Sequence, residues 1–104
     1  EIEAQTQACR QLVYHTAFMR DAGLNHGHES CCAKIVATEN AINATRVAMD
    51  IMGVNGIRKA DPSTPQGIME KLYRDARILS IYEGTNQVQR LVVTNGLFPK
   101  KKKK

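Results

Sequence analysis

Glu83 is the residue of this chain whose surroundings are best suited to chemistry. Apolar Ile81 and Tyr82 precede it, and Gly84 and Thr85 follow it at a break between two helical patterns. A carboxylate at such a junction can be fixed in position without being fully solvated. The alternative is that Glu83 is an exposed charge that interacts favourably with the dipole of the following helix. Composition by itself favours this second interpretation.

The segments on either side of Glu83 are predicted to be helices. Leu72, Ala76 and Leu79 recur at helical spacing before the break. Thr85 is a suitable N-cap for the helix that follows, because its hydroxyl can accept a hydrogen bond from a backbone N–H one turn further on. The inner face of that helix, which ends near Gly96, is predicted to consist of Val88, Leu91, Val92 and Asn95.

Two longer helices and a connector are predicted to precede these elements. Apolar residues recur on one helical face from about residue 2 to 23, and again from about 29 to 52. Residues 53–64 form the connector, after which Thr64 as N-cap and Pro65 at the first helical position begin a third helix, which is predicted to run to about residue 81. No alternating strand pattern of useful length is present in the sequence. The predicted fold class is therefore all-α, an up-and-down bundle of about four helices.

The net charge of +5 is located at the C-terminus. Lys100 to Lys104 supply five positive charges, and the remaining ten Lys and Arg balance the ten Asp and Glu. No basic face or interleaved aromatic residues support nucleic-acid binding, so we expect residues 1–99 to form the bundle and residues 100–104 a disordered, solvated tail. No apolar run approaches the ~20 residues needed to cross a bilayer, so no membrane span is expected.

The cysteines and histidines do not predict a metal site. Cys31 and Cys32 are adjacent, which suits neither an ordinary disulfide nor the spacing of zinc ligands. Together with Cys9, they are predicted to be small buried hydrophobes in a reducing compartment. His26 and His28 are better explained as part of a polar connector than as ligands.

The run from residue 74 to 90 closely resembles the C-terminal signature of the acyl-CoA dehydrogenases. Its matching groups stand in the family's order: Arg74-Asp75, Ile81-Tyr82-Glu83-Gly84-Thr85 and Gln89-Arg90. The resemblance extends less specifically as far as Phe98, since the family's C-terminal domain is a helical bundle of about this size. Residues 50–56 resemble the family's Gln-x-x-Gly-Gly-x-Gly element, but Asp50 replaces the glutamine and Val54 the second glycine.

The resemblance implies an enzyme that forms a double bond next to a thioester. It implies that Glu83 is the base that removes the α-proton of an acyl-CoA, while a hydride leaves the β-carbon for FAD. By the same resemblance, Tyr82 and Gly84 line the substrate site. The residues it implies as cofactor contacts are Thr85, Asn86, Gln87 and Gly53.

The resemblance also implies a larger protein around this chain. The family's complete subunit has an N-terminal helical domain and a central β-domain, so we expect the isolated chain to show little activity and no tight flavin binding. Implied partners are a homo-oligomer (dimer or tetramer) and an electron-transfer flavoprotein, in the fatty acid metabolism of the bacterial cytoplasm or the mitochondrial matrix. The departures at Asp50 and Val54 leave an alternative open, a non-catalytic helical oligomerisation module with the same fold.

Overall fold

The structure, a computed structural model, describes residues 1–59, 61 and 63–98. The predicted lysine tail lies outside the described residues, as do two positions of the predicted connector. The described helices are α1 (Ile2–Asp21), α2 (Gly27–Met52), α3 (Val54–Ile57), α4 (Pro65–Asp75), a 3₁₀ helix (Ala76–Ser80) and α5 (Asn86–Leu97). No strand occurs in these ranges, and the predicted all-α fold class is confirmed.

Local capping signals locate several helix ends. The hydroxyl oxygen of Thr64 accepts a hydrogen bond from the backbone N–H of Gly67 at 3.1 Å, and Pro65 occupies the first turn of α4, as predicted. The third helix does not continue as one α-helix to residue 81. It tightens into the 3₁₀ helix at Ala76, as the last turn of a helix frequently does.

The short helix α3 stands where the sequence predicted only a connector. Its position depends on Gly56, which lies directly against the end of α2. A β-carbon built at Gly56 would lie 2.9 Å from the backbone oxygen of Met49 and 3.1 Å from the β-carbon of Met52. This close approach is a tertiary contact, and four residues are too few to show a helical period.

The helix α2 is the centre of the fold, because α1, α3, α4, the 3₁₀ helix and α5 all pack against it. The molecule measures 62 × 28 × 22 Å, and its radius of gyration of 17.5 Å exceeds the ~13 Å expected of a compact domain of this size. The buried hydrophobic residues are Cys9, Cys31, Ala33, Met69 and Ala76. The predicted burial is thus confirmed for Cys9 and Cys31, whereas Cys32 is half-buried. All three cysteines are free thiols.

The predicted inner face of α5 is wrong. The four residues assigned to it are exposed: Val88, Leu91, Val92 and Asn95. The face that meets α2 instead carries Asn86, Gln89 and Val93, which are buried or half-buried. Polar contacts of Asn86 fix the rotation of α5 about its axis, and its apolar stripe is left on the outer surface.

No helix in the described ranges combines the length and apolar character that crossing a membrane requires.

Candidate functional site

The turn that carries Glu83 has an unusual backbone conformation. Glu83 and Gly84 have φ values of 57° and 87°, so two consecutive residues are left-handed. For a residue with a side chain, this conformation costs about 1–3 kcal/mol and persists only where surrounding contacts impose it. A β-carbon at Gly84 would lie 2.8 Å from Nε2 of Gln89, so the end of that flexible side chain would have to move aside.

The contacts that impose the turn come from two helices. The Gln89 side chain, on α5, donates from Nε2 to the backbone oxygen of Glu83 at 3.3 Å. The Lys34 side chain, on α2, donates from Nζ to the backbone oxygen of Gly84 at 3.0 Å. On the N-terminal side, the backbone N–H of Tyr82 donates to the oxygen of Ile78 at 3.0 Å. Two successive carbonyl groups of the turn are therefore held by side chains.

Asn86, the first residue of α5, is the polar centre of the site, and its side chain is only 2% exposed. Its Oδ1 accepts a hydrogen bond from Nζ of Lys34 at 2.6 Å. Its Nδ2 donates to Oγ1 of Thr38 at 3.0 Å and to Oε1 of Glu39 at 3.4 Å. Glu39 also pairs with Arg90 of α5. The Asn86 side chain is thus an anchor between α2 and α5, and its hydrogen-bonding groups are occupied within the chain.

The start of α5 is able to bind an anion. Thr85 is its N-cap, as predicted, and its Oγ1 accepts from the backbone N–H of Val88 at 3.2 Å. The backbone N–H groups of Asn86 and Gln87 lie in the first turn, where a helix offers no acceptor of its own and carries partial positive charge. The hydroxyl proton of Thr85 and the exposed Gln87 side chain add further donors.

An open depression of about 360 Å³ lies beside Gln87, between α2, the 3₁₀ helix and α5. It is lined by three arginines: Arg46, Arg77 and Arg90. Arg77 stacks over the ring of Tyr73 at 5.7 Å from the centroid. Since Arg46 pairs with Asp50 and Arg90 with Glu39, the depression retains a modest excess of positive charge.

The carboxylate of Glu83 is exposed to solvent, so the prediction that this junction keeps it from being fully solvated is wrong for the chain by itself, which shows the exposed charge of the alternative interpretation. Within residues 1–59, 61 and 63–98, it accepts no hydrogen bond and forms no ion pair, and the ion pairs present involve other carboxylates. Tyr82 and Gly84, the predicted substrate contacts, are exposed beside it. This chain therefore presents an unpaired carboxylate, and shielding from water has to come from elsewhere.

Gly53 does not join these residues within the chain. It follows the last residue of α2, whereas Thr38 contacts Asn86 fifteen residues earlier on the same helix. At 1.5 Å per helical residue, the two positions are roughly 20 Å apart. Asp50, which replaces the family's glutamine, pairs with Arg46 at 3.0 Å, and Val54 is exposed.

The residues of α2 that contact the site were not predicted from the sequence. Lys34, Thr38 and Glu39 all reach Asn86, although they are 47 to 52 residues away in the chain. The sequence indicates them only weakly. Positions 34, 38 and 39 are polar and stand at spacings of four and five, so they share one side of a helix rich in alanine. No group of three potential metal ligands occurs in the described part of the chain.

The fold and the site together define a helical domain that presents a glutamate between two helices. Residues 1–98 match the model of the family described as acyl-CoA dehydrogenase, C-terminal domain. The chain belongs to the acyl-CoA dehydrogenase family, and the resemblance seen in the sequence is confirmed.

Individual relatives agree with this assignment. The acyl-CoA dehydrogenase of Bacillus subtilis is 39% identical over 97 residues, which are 93% of this chain and 24% of that protein. Butyryl-CoA dehydrogenase from Megasphaera elsdenii superimposes with a TM-score of 0.81 at 35% identity, covering 91% of this chain and 23% of the other.

A chain in the structural study of the electron transferring flavoprotein of Acidaminococcus fermentans superimposes with a TM-score of 0.83 at 33% identity, covering 95% of this chain and 24% of the other. This chain thus spans about a quarter of the length of the proteins it matches.

Proposed function

We propose that this chain is the C-terminal domain of a flavin-dependent acyl-CoA dehydrogenase in which Glu83 removes the α-proton of an acyl-CoA thioester. The observation that supports this most directly is the state of Glu83. Its carboxylate is unpaired in the described part of the chain, its backbone oxygen accepts a hydrogen bond from Gln89 of α5, and the next backbone oxygen, of Gly84, accepts one from Lys34 of α2. A general base has to be unpaired and fixed in position, and these contacts support that role for Glu83 once the turn is covered.

The neighbours of Glu83 suit a bound thioester. Gly84 has no side chain, so the substrate can approach the backbone closely. The ring of Tyr82 is about half exposed and offers an apolar surface on the other side. When an acyl chain and the remainder of the subunit cover the turn, water is excluded from the carboxylate at the point where the proton is removed.

The residues at the start of α5 fit the phosphate groups of FAD. The N–H groups of Asn86 and Gln87, the Thr85 hydroxyl and the arginine-lined depression together present donors and positive charge. FAD, when bound, would supply the acceptor for the hydride that leaves the β-carbon. Gly53 lies at the far end of α2 from these residues. It would contact a cofactor only if FAD, bound by this subunit or by a second one, reaches that end of the helix.

The surface of the chain supports a larger assembly. Large hydrophobic side chains are exposed on α1, α3 and α5, among them Phe18 (66%), Val54 (71%) and Leu91 (63%). We assign these surfaces to the remainder of the subunit and to a homodimer or homotetramer. The likeness to a chain from an electron transferring flavoprotein study supports such a flavoprotein as electron acceptor, with fatty acid metabolism in the bacterial cytoplasm or mitochondrial matrix as the setting.

Glu83→Gln in the complete subunit tests the proposed role. The amide cannot accept the proton, so the exchange of the substrate α-proton with D₂O should fall at least about 100-fold, as expected when a general base is lost. The flavin content should not change, because the substitution leaves the start of α5 intact. Glu3→Gln, an exposed glutamate of α1, is the matched control and should exchange like the unsubstituted enzyme.

Unchanged proton exchange in Glu83→Gln would overturn the proposal. It would favour the alternative, a non-catalytic oligomerisation module that has kept the fold. Self-association does not separate the two functions, since both predict it.

The 104-residue chain by itself should bind no flavin tightly. Five depressions on the part of the chain that the structure describes are open, with volumes of about 310–380 Å³, and none of these five can enclose a dinucleotide. Stoichiometric flavin absorbance after purification of this chain would contradict the assignment of most of the pocket to the remainder of the subunit.

A further inference from the structure

We propose that Lys34 is a positioning residue for Glu83, because its ammonium group holds the turn that aims the Glu83 carboxylate. The inference rests on the proposed function, since it concerns the aim of the base. Lys34 Nζ donates to the backbone oxygen of Gly84 at 3.0 Å and to Oδ1 of Asn86 at 2.6 Å. One cation thus holds both the residue after the base and the first residue of α5.

The hydrogen bond from Lys34 ties the turn to a different helix from the one to which the hydrogen bond from Gln89 ties it. Gln89 donates to the backbone oxygen of Glu83, but it belongs to α5, the helix that the turn itself leads into. That bond fixes the turn relative to α5 only. The bond from Lys34 spans 50 residues of sequence and fixes the turn relative to α2, the central helix of the domain. It is also charge-assisted, and such bonds are shorter and stronger than neutral ones.

The backbone of the turn determines where the carboxylate points. The direction of the Glu83 side chain depends on the peptide planes on either side of it, and its φ of 57° is one that a residue with a side chain leaves readily when released. Freeing the Gly84 carbonyl would allow the turn to relax toward negative φ. The carboxylate would then be displaced from the α-carbon of the substrate, and a misplacement of about 1 Å lowers rates by about 100-fold.

Kinetics of the complete subunit test the catalytic consequence. Lys34→Met removes the ammonium group while keeping a long side chain. At saturating acyl-CoA, the rate of α-proton exchange should fall about 10- to 100-fold, with KM changed by less than about threefold and the flavin content unchanged. Lys34→Arg keeps a charged donor and should recover part of the lost rate. Lys71→Met, an exposed lysine of α4, is the matched control and should match the unsubstituted enzyme.

The effect of Lys34 on the rigidity of the turn can be measured on the 104-residue chain independently of catalysis. In Lys34→Met, the ¹⁵N order parameters of Glu83 and Gly84 should fall toward the flexible range, below about 0.6, while those of α1 stay near the rigid value. An equal loss of order in α1 and α4 would show that Lys34 acts on the whole fold, and it would overturn the positioning role.

The outcomes separate this inference from the proposed function. If Glu83→Gln abolishes exchange but Lys34→Met stays within about twofold of the unsubstituted enzyme, the positioning role is overturned and the proposed function stands. If Lys34→Met raises KM and preserves the rate at saturation, Lys34 binds substrate and the positioning role is again overturned. If Glu83→Gln itself exchanges normally, the proposed function fails first, and the role of Lys34 fails with it.

Discussion

Asn86→Ala should destabilise this chain more than any other alanine substitution on α5. The side chain is almost fully buried and bonds to three residues of α2: Lys34, Thr38 and Glu39. Truncation removes all of these bonds at once and leaves the start of α5 tied to α2 only by Arg90 and the turn.

The magnitude follows from the individual bonds. The charge-assisted bond from Lys34 contributes about 1.5–3 kcal/mol and the neutral bond to Thr38 about 0.5–1.5 kcal/mol. The bond to Glu39, at 3.4 Å, is long and contributes little. Lys34 is only half-buried and can turn toward water when its partner is lost, so we expect the lower part of the range, about 2–3 kcal/mol in the free energy of unfolding.

Urea unfolding of the 104-residue chain, followed by far-UV circular dichroism, measures this loss. Asn95→Ala is the matched control, because Asn95 lies exposed on the same helix, and it should change the free energy of unfolding by less than about 0.5 kcal/mol. If Asn86→Ala does not fold, the milder Thr38→Val should still cost about 1 kcal/mol, since it deletes the bond from Asn86 together with the local bond that Thr38 Oγ1 donates to the backbone oxygen of Lys34. Equal stabilities for Asn86→Ala and Asn95→Ala would refute the view that this polar centre joins α5 to α2.

Three further substitutions or modifications probe the turn and the thiols. Gly84→Ala should lower the free energy of unfolding by about 1–2 kcal/mol in the same urea assay, because the left-handed backbone and the Gln89 side chain both oppose a β-carbon; an unchanged midpoint would contradict this. Glu83→Gly should abolish proton exchange in the complete subunit. In the isolated chain it should raise the midpoint of urea unfolding slightly, because relief of about 1–3 kcal/mol of backbone strain outweighs the added entropy of the unfolded chain. A lower midpoint would argue against strain at Glu83. Burial raises the pKa of the Cys31 thiol, and the neighbouring Cys32 adds to the effect, so less of the reactive thiolate is present at Cys31. Maleimide at pH 8 should therefore label Cys31 more slowly than half-buried Cys32 in the folded chain. The difference in labelling rate should vanish in urea.

The features that the sequence predicted correctly are those set by neighbours in the chain. Thr64 with Pro65, and Thr85 by itself, located two helix starts through bonds that reach only three residues. The helical period likewise located α1 and α2 to within about two residues, since an amphipathic pattern repeats many times over such lengths.

What the sequence could not predict depends on contacts between distant residues. The buried face of α5 was predicted from its apolar residues, but the bond from Lys34 to Asn86, across 52 positions, decides which side of the helix meets α2. The left-handed conformation of Glu83 likewise follows from side chains outside the turn, and no local pattern announces it. Sequence identified the base candidate by its motif, and only the structure showed what holds it.

The exposure of Glu83 and the exposure of its apolar neighbours have one physical explanation. Ile81, Tyr82 and Val88 lie on both sides of Glu83 in the chain, and each is about half exposed. Covering them completely would contribute roughly half of the 1.5–3 kcal/mol available per side chain, a few kcal/mol in all. The cost of desolvating a carboxylate is also several kcal/mol, so the same covering surface can offset it. On the proposed function, assembly of the subunit therefore also excludes water from the Glu83 carboxylate. The isolated chain lacks the covering surface, so its carboxylate stays in water and we expect the chain to be inactive.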